Sequence, residues 1–409
     1  MNRFAKCLLI LTVSAPLAVL AEVKLGNEVL AQSNFKVLRA KRVGLITNPS
    51  GVNRNLESTI DVLRAAPGVQ LVALFGPEHG IYGDVPAGDN VESRVDARTG
   101  LPVHSLYGKT HRPTPEMLNG LDALVYDLQD TGCRSYTYVS TMGVAMDAAG
   151  QAGLEFVVLD RPNPLGGLRV EGPMVRDGFR SFVSRWDVPY VYGLTCGELA
   201  RMINGEGWIT NRCRLTVVAM NGWRRSMVWS DTGLPWVPTS PHIPHGQSPL
   251  FQVATGMLGE IGGVSTGIGY TLPFQCVAAP GLDPHQVAAL LNNYRLPGVK
   301  FQPITYKPYY FTFTDETTGG VEIFFTDPAH APLTAINFYV LEGLKNLTGR
   351  DLFAQAVKSG KSFSMFDKVN GTDATRKALQ AGTPVADIVA SWKPGEDAFR
   401  KLRKKYLLY

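Results

Sequence analysis

A glutamate and a histidine stand between glycines directly after an apolar run, in the stretch FGPEHG at residues 75–80. The glycines allow a tight backbone turn, because glycine lacks the side chain that hinders positive φ angles. A carboxylate beside an imidazole can act as a general acid or base, with the histidine orienting it or contacting a substrate. A loop carboxylate and a backbone hydrogen bond are the non-catalytic alternatives. We interpret Glu78 and His79 as candidate catalytic residues.

Further carboxylates follow in the stretch DLQDTG at residues 127–132. Two carboxylates that flank a glycosidic bond are the usual equipment of glycoside hydrolysis, so Asp127 and Asp130 are also candidate catalytic residues. The same groups together with His79 could instead hold a metal ion. The sequence has no HExxH or HxH spacing, no dinucleotide fingerprint after a strand and no GxSxG elbow. We therefore expect neither a metal nor a cofactor.

An arginine and two tyrosines follow Asp130 in the stretch CRSYTY at residues 133–138. The guanidinium fork of Arg134 suits a carboxylate on the substrate, although an ion pair with Asp130 or Asp160 is the alternative. Tyr136 and Tyr138 could face the same ligand. The other predicted substrate-binding residues lie in further loops or in the glycine-rich stretch 259–269, and they are Asn48, Ser50, Asp160, Arg161, Asn163 and Glu260.

The first half of the chain alternates apolar runs with helical patterns. The runs at 42–47, 71–75, 123–128 and 156–160 are typical of strands buried on both faces, and helices are predicted at 56–66, 114–121 and 141–153. This alternation predicts an α/β fold with a parallel, doubly wound sheet. Each polar cluster follows a strand, so we expect the clusters to meet in the crevice at the carboxyl edge of the sheet.

The second half indicates a smaller α+β domain. The segments YYFTFTD (309–315) and VEIFFTD (321–327) alternate like strands, whereas 333–347 and 396–408 have helical patterns. We expect three regions: a signal peptide at 1–21, a catalytic domain at 22–250 and an α+β domain at 251–409 that completes the cleft.

Composition limits the class of protein. The chain has 409 residues, 45% of them hydrophobic, and a formal net charge of +5 without a cluster of basic and aromatic residues, so nucleic acid is not an expected partner. Arg3 and Lys6 precede an apolar run that ends in small residues at Ala21, a pattern typical of a secretory signal peptide and too short for a membrane span. We expect an exported protein, periplasmic or secreted. Four cysteines remain after this segment, Cys133, Cys196, Cys213 and Cys276, and the sequence does not determine whether they pair. It does not determine the oligomeric state either.

Several long stretches resemble the NamZ-type exo-β-N-acetylmuramidase family. They include FGPEHGIYG, DLQDTGCRSYTYVSTM, VLDRPNPLGG, LTCGELARMING and DTGLPWVPTSP, and the resemblance runs from about residue 38 to the end. It implies a Rossmann-like N-terminal domain, a smaller C-terminal domain and an active cleft between them. It also implies release of N-acetylmuramic acid from the non-reducing ends of peptidoglycan fragments. The essential glutamate of the family falls on Glu78.

The chain departs from this family pattern in the glycine-rich region. The stretch STGIGYTLPF at 265–274 has Thr266, Ile268 and Leu272 where the family has a glutamate and two arginines, and PTSPHIP stands where the family has Pro-Ser-Pro-Asn. Three alternative hypotheses therefore stay open. The protein could bind cell-wall glycans without hydrolysing them, it could have an altered specificity for such glycans, or it could be a metal-dependent hydrolase.

Overall fold

The computed structural model describes residues 22–360 and 362–409, so the predicted signal peptide lies outside the described residues. The helices are α1 Gly26–Gln32, α2 Thr59–Ala65, α3 Pro115–Leu118, α4 Tyr138–Gln151, α5 Cys196–Gly205, α6 Ser248–Ile261, α7 Pro284–Asn293, α8 Leu333–Thr348, α9 Leu352–Lys358, α10 Ser364–Asn370, α11 Ala374–Gln380 and α12 Val385–Arg403. The strands are β1 Lys41–Thr47, β2 Val69–Gly76, β3 Arg94–Val95, β4 Pro102–Ser105, β5 Ala123–Asp127, β6 Glu155–Leu159, β7 Arg214–Val218, β8 Cys276–Ala279, β9 Val299–Tyr306 and β10 Thr318–Phe325.

The larger sheet has the strand order β3-β4-β2-β1-β5-β6-β7. All neighbouring pairs are parallel except β3 with β4 at one edge. The apolar side chains of the central strands pack on both faces, with α1 and α2 contributing to one core and α4 and α5 to the other. This arrangement is a doubly wound sheet, and the predicted α/β fold class is confirmed.

The connections place a crevice at the centre of this sheet. The chain runs outward from β1 to β2 and β4, and then returns to β5 beside β1 before it continues to β6 and β7. The strand order therefore reverses between β1 and β5, and ligands bind at such a switch point beyond the carboxyl ends of the strands. The loops after β1, β2, β5 and β6 all begin at this edge.

The second unit contains a three-stranded antiparallel sheet in the order β8-β10-β9. Helices α6, α7 and α8 supply much of the apolar core beside it. The strand predicted at 321–327 is confirmed as β10, whereas the strand predicted at 309–315 is wrong. That segment is a loop in which Phe311, Phe313 and Asp315 have φ angles of 73°, 61° and 60°. Alternating side chains cannot identify a strand when the backbone lies in the left-handed region.

Two further properties of the described residues concern the environment of the protein. No helix between residues 22 and 360 or between 362 and 409 is long and apolar enough to cross a bilayer. The four cysteines of this part of the chain, Cys133, Cys196, Cys213 and Cys276, are buried, and none of them forms a disulfide.

Candidate active site

Glu78 lies two residues beyond the end of β2, at the carboxyl edge of the larger sheet. Its side chain is only 9% exposed. One carboxylate oxygen, Oε1, accepts a hydrogen bond from the backbone N–H of Gly88 at 3.0 Å, and Oε2 accepts one from the hydroxyl of Thr137 at 2.5 Å. Because each oxygen has its own donor, the carboxylate is held in a single orientation.

His79 is fixed by its backbone as well as by its side chain. Its φ angle of 70° is unusual for a residue with a Cβ atom, and backbone strain of this kind is concentrated at functional sites. The ring atom Nδ1 lies 2.7 Å from the carbonyl oxygen of Val85. Since a carbonyl only accepts, Nδ1 donates this hydrogen bond, and Nε2 stays available for another partner.

Aromatic side chains form a wall beside Glu78. Burial, and then the negative charge of Glu78, raise the pKa of the Tyr107 phenol well above its usual range, so Tyr107 acts as a neutral hydrogen-bond donor. The ring of His111 packs against Tyr107, with centroids 4.9 Å apart, and stacks on Phe182 at 4.3 Å. Such a surface can contact the apolar faces of a sugar ring.

The segment 239–242 borders the site, next to Tyr138 and Glu78. The carbonyl oxygen of Thr239 accepts hydrogen bonds from the Asn48 amide at 2.9 Å and from the Tyr138 hydroxyl at 2.6 Å. Three residues on, Nε2 of His242 lies 2.9 Å from the hydroxyl of Tyr310, in the loop between β9 and β10. This contact joins the two units at the site, so the cleft that the family resemblance implies has a wall from each.

Sequence reasoning missed four of these residues: Tyr107, Thr137, His242 and Tyr310. Thr137 stands between the two predicted tyrosines, Tyr107 lies between the predicted strand at 71–75 and the predicted helix at 114–121, and His242 lies in PTSPHIP, where the chain departs from the family pattern. The position of Thr137 beside predicted residues and the departure at His242 are the signals that could have identified them. Tyr310 had none, because its segment was interpreted as a strand.

Asp127 does not lie free in the crevice as a second catalytic carboxylate, which corrects the sequence-based expectation. Its two oxygens accept hydrogen bonds from Nε and Nη2 of Arg161 at 2.5 and 3.0 Å, and Oδ2 also accepts one from Thr59 at 2.5 Å. The side chain of Asp127 is fully buried and that of Arg161 is 4% exposed. This internal ion pair ties β5 to the loop after β6, and it also withdraws Arg161 from the substrate.

Asp130 is likewise enclosed. Its Oδ2 atom accepts hydrogen bonds from the backbone N–H of Gly132 at 2.7 Å and from the hydroxyl of Tyr192. Burial raises its pKa to about 6. Asp130 is 5% exposed, and its other carboxylate oxygen, Oδ1, has no hydrogen-bond partner among the described residues. Its role as a second catalytic carboxylate stays a prediction.

Arg134 is an interior residue and does not face a ligand, which corrects a further expectation. It is 1% exposed, and its guanidinium donates to the Ser184 hydroxyl at 3.0 Å. The same group donates to the backbone carbonyls of Pro173 at 2.6 Å, Val188 at 2.8 Å and Val369 at 2.9 Å. The protein itself thus occupies all three guanidinium nitrogens.

The other predicted binding residues also serve the framework. Asp160 accepts from the Thr195 hydroxyl at 2.7 Å and from the backbone N–H of Gly197 at 2.8 Å. Four of the remaining ones make hydrogen bonds inside the protein: Ser50 donates to Asn48, Asn163 donates to the carbonyl of Leu194, and Tyr136 is buried beside Thr239. Glu260 is exposed in the last turn of α6.

A cavity of about 820 Å³ opens elsewhere between the two units, beside Trp229 and Trp392. Glu78 is not among its lining residues, and each of its three arginines has a carboxylate partner in the protein: Arg169 pairs with Glu171, Arg400 with Glu396 and Arg225 with Glu198. The volume of this cavity therefore does not make it the catalytic site. Across residues 22–360 and 362–409, no three His, Cys, Asp or Glu side chains form a group that could hold a metal ion.

Comparison with known proteins supplies an independent finding. Residues 43–247 match the family model of the exo-β-N-acetylmuramidase NamZ N-terminal domain, and residues 252–409 match that of its C-terminal domain. The chain is 41% identical over 388 residues to the peptidoglycan β-N-acetylmuramidase NamZ of Bacillus subtilis (strain 168), a match that covers 95% of this chain and 92% of that protein.

Two solved structures from Bacteroides fragilis NCTC 9343, both of DUF1343 family proteins, are similar to this fold. One is 50% identical with a TM-score of 0.89, and the other is 27% identical with a TM-score of 0.74. Each match covers 95% of this chain and 99% of the other chain. The likeness extends through both units.

Proposed function

Because the chain belongs to the exo-β-N-acetylmuramidase NamZ family, we propose that Glu78, in its protonated form, donates a proton to the glycosidic oxygen when a terminal N-acetylmuramic acid is released, and that the attacking water returns the proton. The protein is a glycoside hydrolase, a β-N-acetylmuramidase whose substrate is peptidoglycan. The reaction adds water across the bond between the anomeric carbon and the glycosidic oxygen, and the departing oxygen needs a proton. Release from the non-reducing end of a fragment is part of the proposal.

The observation that carries the role of Glu78 is its fixed orientation at the switch-point edge. Its two oxygens are held by Gly88 and Thr137. A group that transfers a proton must stand within hydrogen-bond reach of the reacting oxygen, so a carboxylate that cannot rotate away is suited to the task. Asp127 is held in an internal ion pair, and Asp130 is buried with Oδ2 bound to the backbone N–H of Gly132, so the proposal assigns the proton transfer to Glu78.

The test of the function uses two chromogenic substrates and the mature protein. We expect release of nitrophenol from 4-nitrophenyl β-N-acetylmuramide and far less from the corresponding N-acetylglucosaminide, with the rate unchanged by a chelator. Binding of both sugars without turnover would favour the glycan-binding alternative. Loss of turnover on chelation, restored by a divalent ion, would favour the metal-dependent hydrolase.

We further propose that the protein is exported, which its substrate supports because peptidoglycan lies outside the cytoplasm. Arg3, Lys6 and the apolar run that ends at Ala21 are the basis for this proposal. Mass spectrometry of the protein from its native cells is expected to find an N-terminus near Glu22 in the extracytoplasmic fraction. An intact Met1 on a cytoplasmic pool would contradict export.

A further inference from the structure

Recognition of the lactyl group of the substrate calls for a positively charged residue in the cleft. N-acetylmuramic acid differs from N-acetylglucosamine by a lactyl ether, which carries a carboxylate. A charge-assisted hydrogen bond is the strong way to recognise such a group. Arg134 and Arg161, the two arginines expected from sequence to do this, are consumed inside the protein. Ile268 and Leu272 are apolar, so the glycine-rich stretch offers no cation at those positions.

Two imidazoles lie close to Glu78. His79 directly follows Glu78, and its Nδ1 is already bound to the Val85 carbonyl. His242 lies three residues after Thr239, whose carbonyl accepts from the Tyr138 hydroxyl at 2.6 Å, and the same hydroxyl lies 3.4 Å from the carbonyl oxygen of Glu78. The ring of His242 is held by Tyr310, which lies 2.9 Å from its Nε2 atom and packs nearly parallel to it, at an interplanar angle of 25°.

We propose that His242, together with His79, binds the lactyl carboxylate of N-acetylmuramic acid and so determines the choice between this sugar and N-acetylglucosamine. The inference rests on the proposed function and deepens it. Tyr310 is a positioning residue: its hydroxyl engages Nε2 of His242 and leaves Nδ1 free to donate to the substrate. No other hydrogen bond to this ring comes from the residues that the structure describes.

The loop that carries Tyr310 is built to hold it in place. The backbone N–H of Tyr309 donates to the carbonyl of Gly269 at 2.7 Å, and the ring of Tyr270 stacks on Tyr306 with centroids 4.5 Å apart. Phe311, at the tip, is 68% exposed with a φ angle of 73°. Exposed aromatic residues at strained positions are typical of segments that contact a ligand. The glycine-rich stretch thus positions the loop that carries Tyr310 and does not itself offer a charged group to the substrate.

The charge on His242 gives the proposal a pH signature. Burial, and then the positive charge of His79, lower the pKa of His242 below its ordinary value. The titratable groups that face the ring are His79 from the end of β2 and Tyr310 from the loop before β10. A bound carboxylate opposes both effects and raises the pKa. Binding of the acid sugar is therefore strongest below the pKa of the free site and weakens as the pH rises through the higher pKa of the complex.

The test compares His242→Gln with the unmutated protein. Calorimetry or inhibition would give the affinities of free N-acetylmuramic acid and N-acetylglucosamine at about pH 5.5 and pH 8, values on either side of the ordinary imidazole pKa. We expect the substitution to weaken N-acetylmuramic acid binding at the lower pH by about 10- to 100-fold and to reduce its pH dependence to the part that His79 contributes. N-acetylglucosamine binding should stay within about twofold.

Two further variants keep the result interpretable. Tyr310→Phe is expected to retain the fold and to show part of the same selective loss. His285→Gln, an exposed imidazole at the start of α7, is expected to change neither affinity. Equal weakening of both sugars by His242→Gln, or unchanged discrimination, would overturn the proposal while turnover of the muramide still supported the function. An unmutated protein that neither hydrolyses the muramide nor prefers the acid sugar would overturn both.

Discussion

Glu78→Gln lowers turnover of an unactivated muramyl disaccharide by about 10²- to 10⁴-fold, the usual contribution of a positioned acid or base. The amide has nearly the same shape as the carboxylate and can still accept the hydrogen bond of Gly88 or Thr137, so we expect substrate affinity to change little. The amide, however, cannot donate a proton to the leaving glycosidic oxygen. The measurement is kcat on the disaccharide, with a separate binding assay on the free sugar.

The leaving group sharpens this experiment. 4-Nitrophenolate is a stable anion that departs without protonation, so the loss for a 4-nitrophenyl substrate should be much smaller than for the disaccharide if Glu78 protonates the leaving oxygen. Glu116→Gln is the matched control, because Glu116 is an exposed glutamate in the first turn of α3. A Glu78→Gln protein that retains full activity on the disaccharide would remove Glu78 from the mechanism.

Arg134→Ala reduces the free energy of unfolding by about 3–5 kcal/mol. The substitution leaves the carbonyls of Pro173 and Val188 without their donor, at about 1–3 kcal/mol for each buried group that stays unpaired, and it also opens a cavity. The carbonyl of Val369 keeps the Ser184 hydroxyl as a donor at 3.3 Å. The largest effect should therefore be on stability, measured by urea or thermal unfolding, and not on sugar selectivity.

The control for this prediction is Arg180→Ala. Arg180 pairs with Asp187 at the surface, where an ion pair contributes about 0–1 kcal/mol. Arg134→Lys should lie between the two variants, since a lysine keeps the charge but cannot reach four acceptors at once. An Arg134→Ala protein that unfolds like the unmutated one but no longer distinguishes the two sugars would return Arg134 to the substrate site.

The fold of the larger sheet could be predicted because its signals are local. Strands buried on both faces are continuous apolar runs, and those predicted at 42–47, 71–75 and 156–160 lie within a residue or two of β1, β2 and β6. The rule that ligands bind beyond the carboxyl ends of parallel strands then directed attention to the loop that holds Glu78. Its catalytic role stays a prediction.

The direction in which each strand-end side chain points could not be predicted in the same way. Asp127 ends β5, and Arg134 and Arg161 follow β5 and β6 as Glu78 follows β2, yet all three side chains are buried inside the protein. Whether a buried charge meets a substrate or an internal partner depends on groups far along the chain, as with Val369, which is 235 residues from Arg134. No local pattern carries that information.

The sequence by itself determined the family, the doubly wound sheet and the edge at which its polar loops gather, since these depend on periodicity and on long motifs. Only the tertiary structure decided which of those polar residues line the cleft. Glu78 is held by the neutral donors Gly88 and Thr137 and stays 9% exposed, whereas Asp127 is fully buried in an ion pair with Arg161. Burying a charge is costly unless it is paired, so each carboxylate at this edge takes the nearest donor, and the distances that decide this exist only in the folded chain.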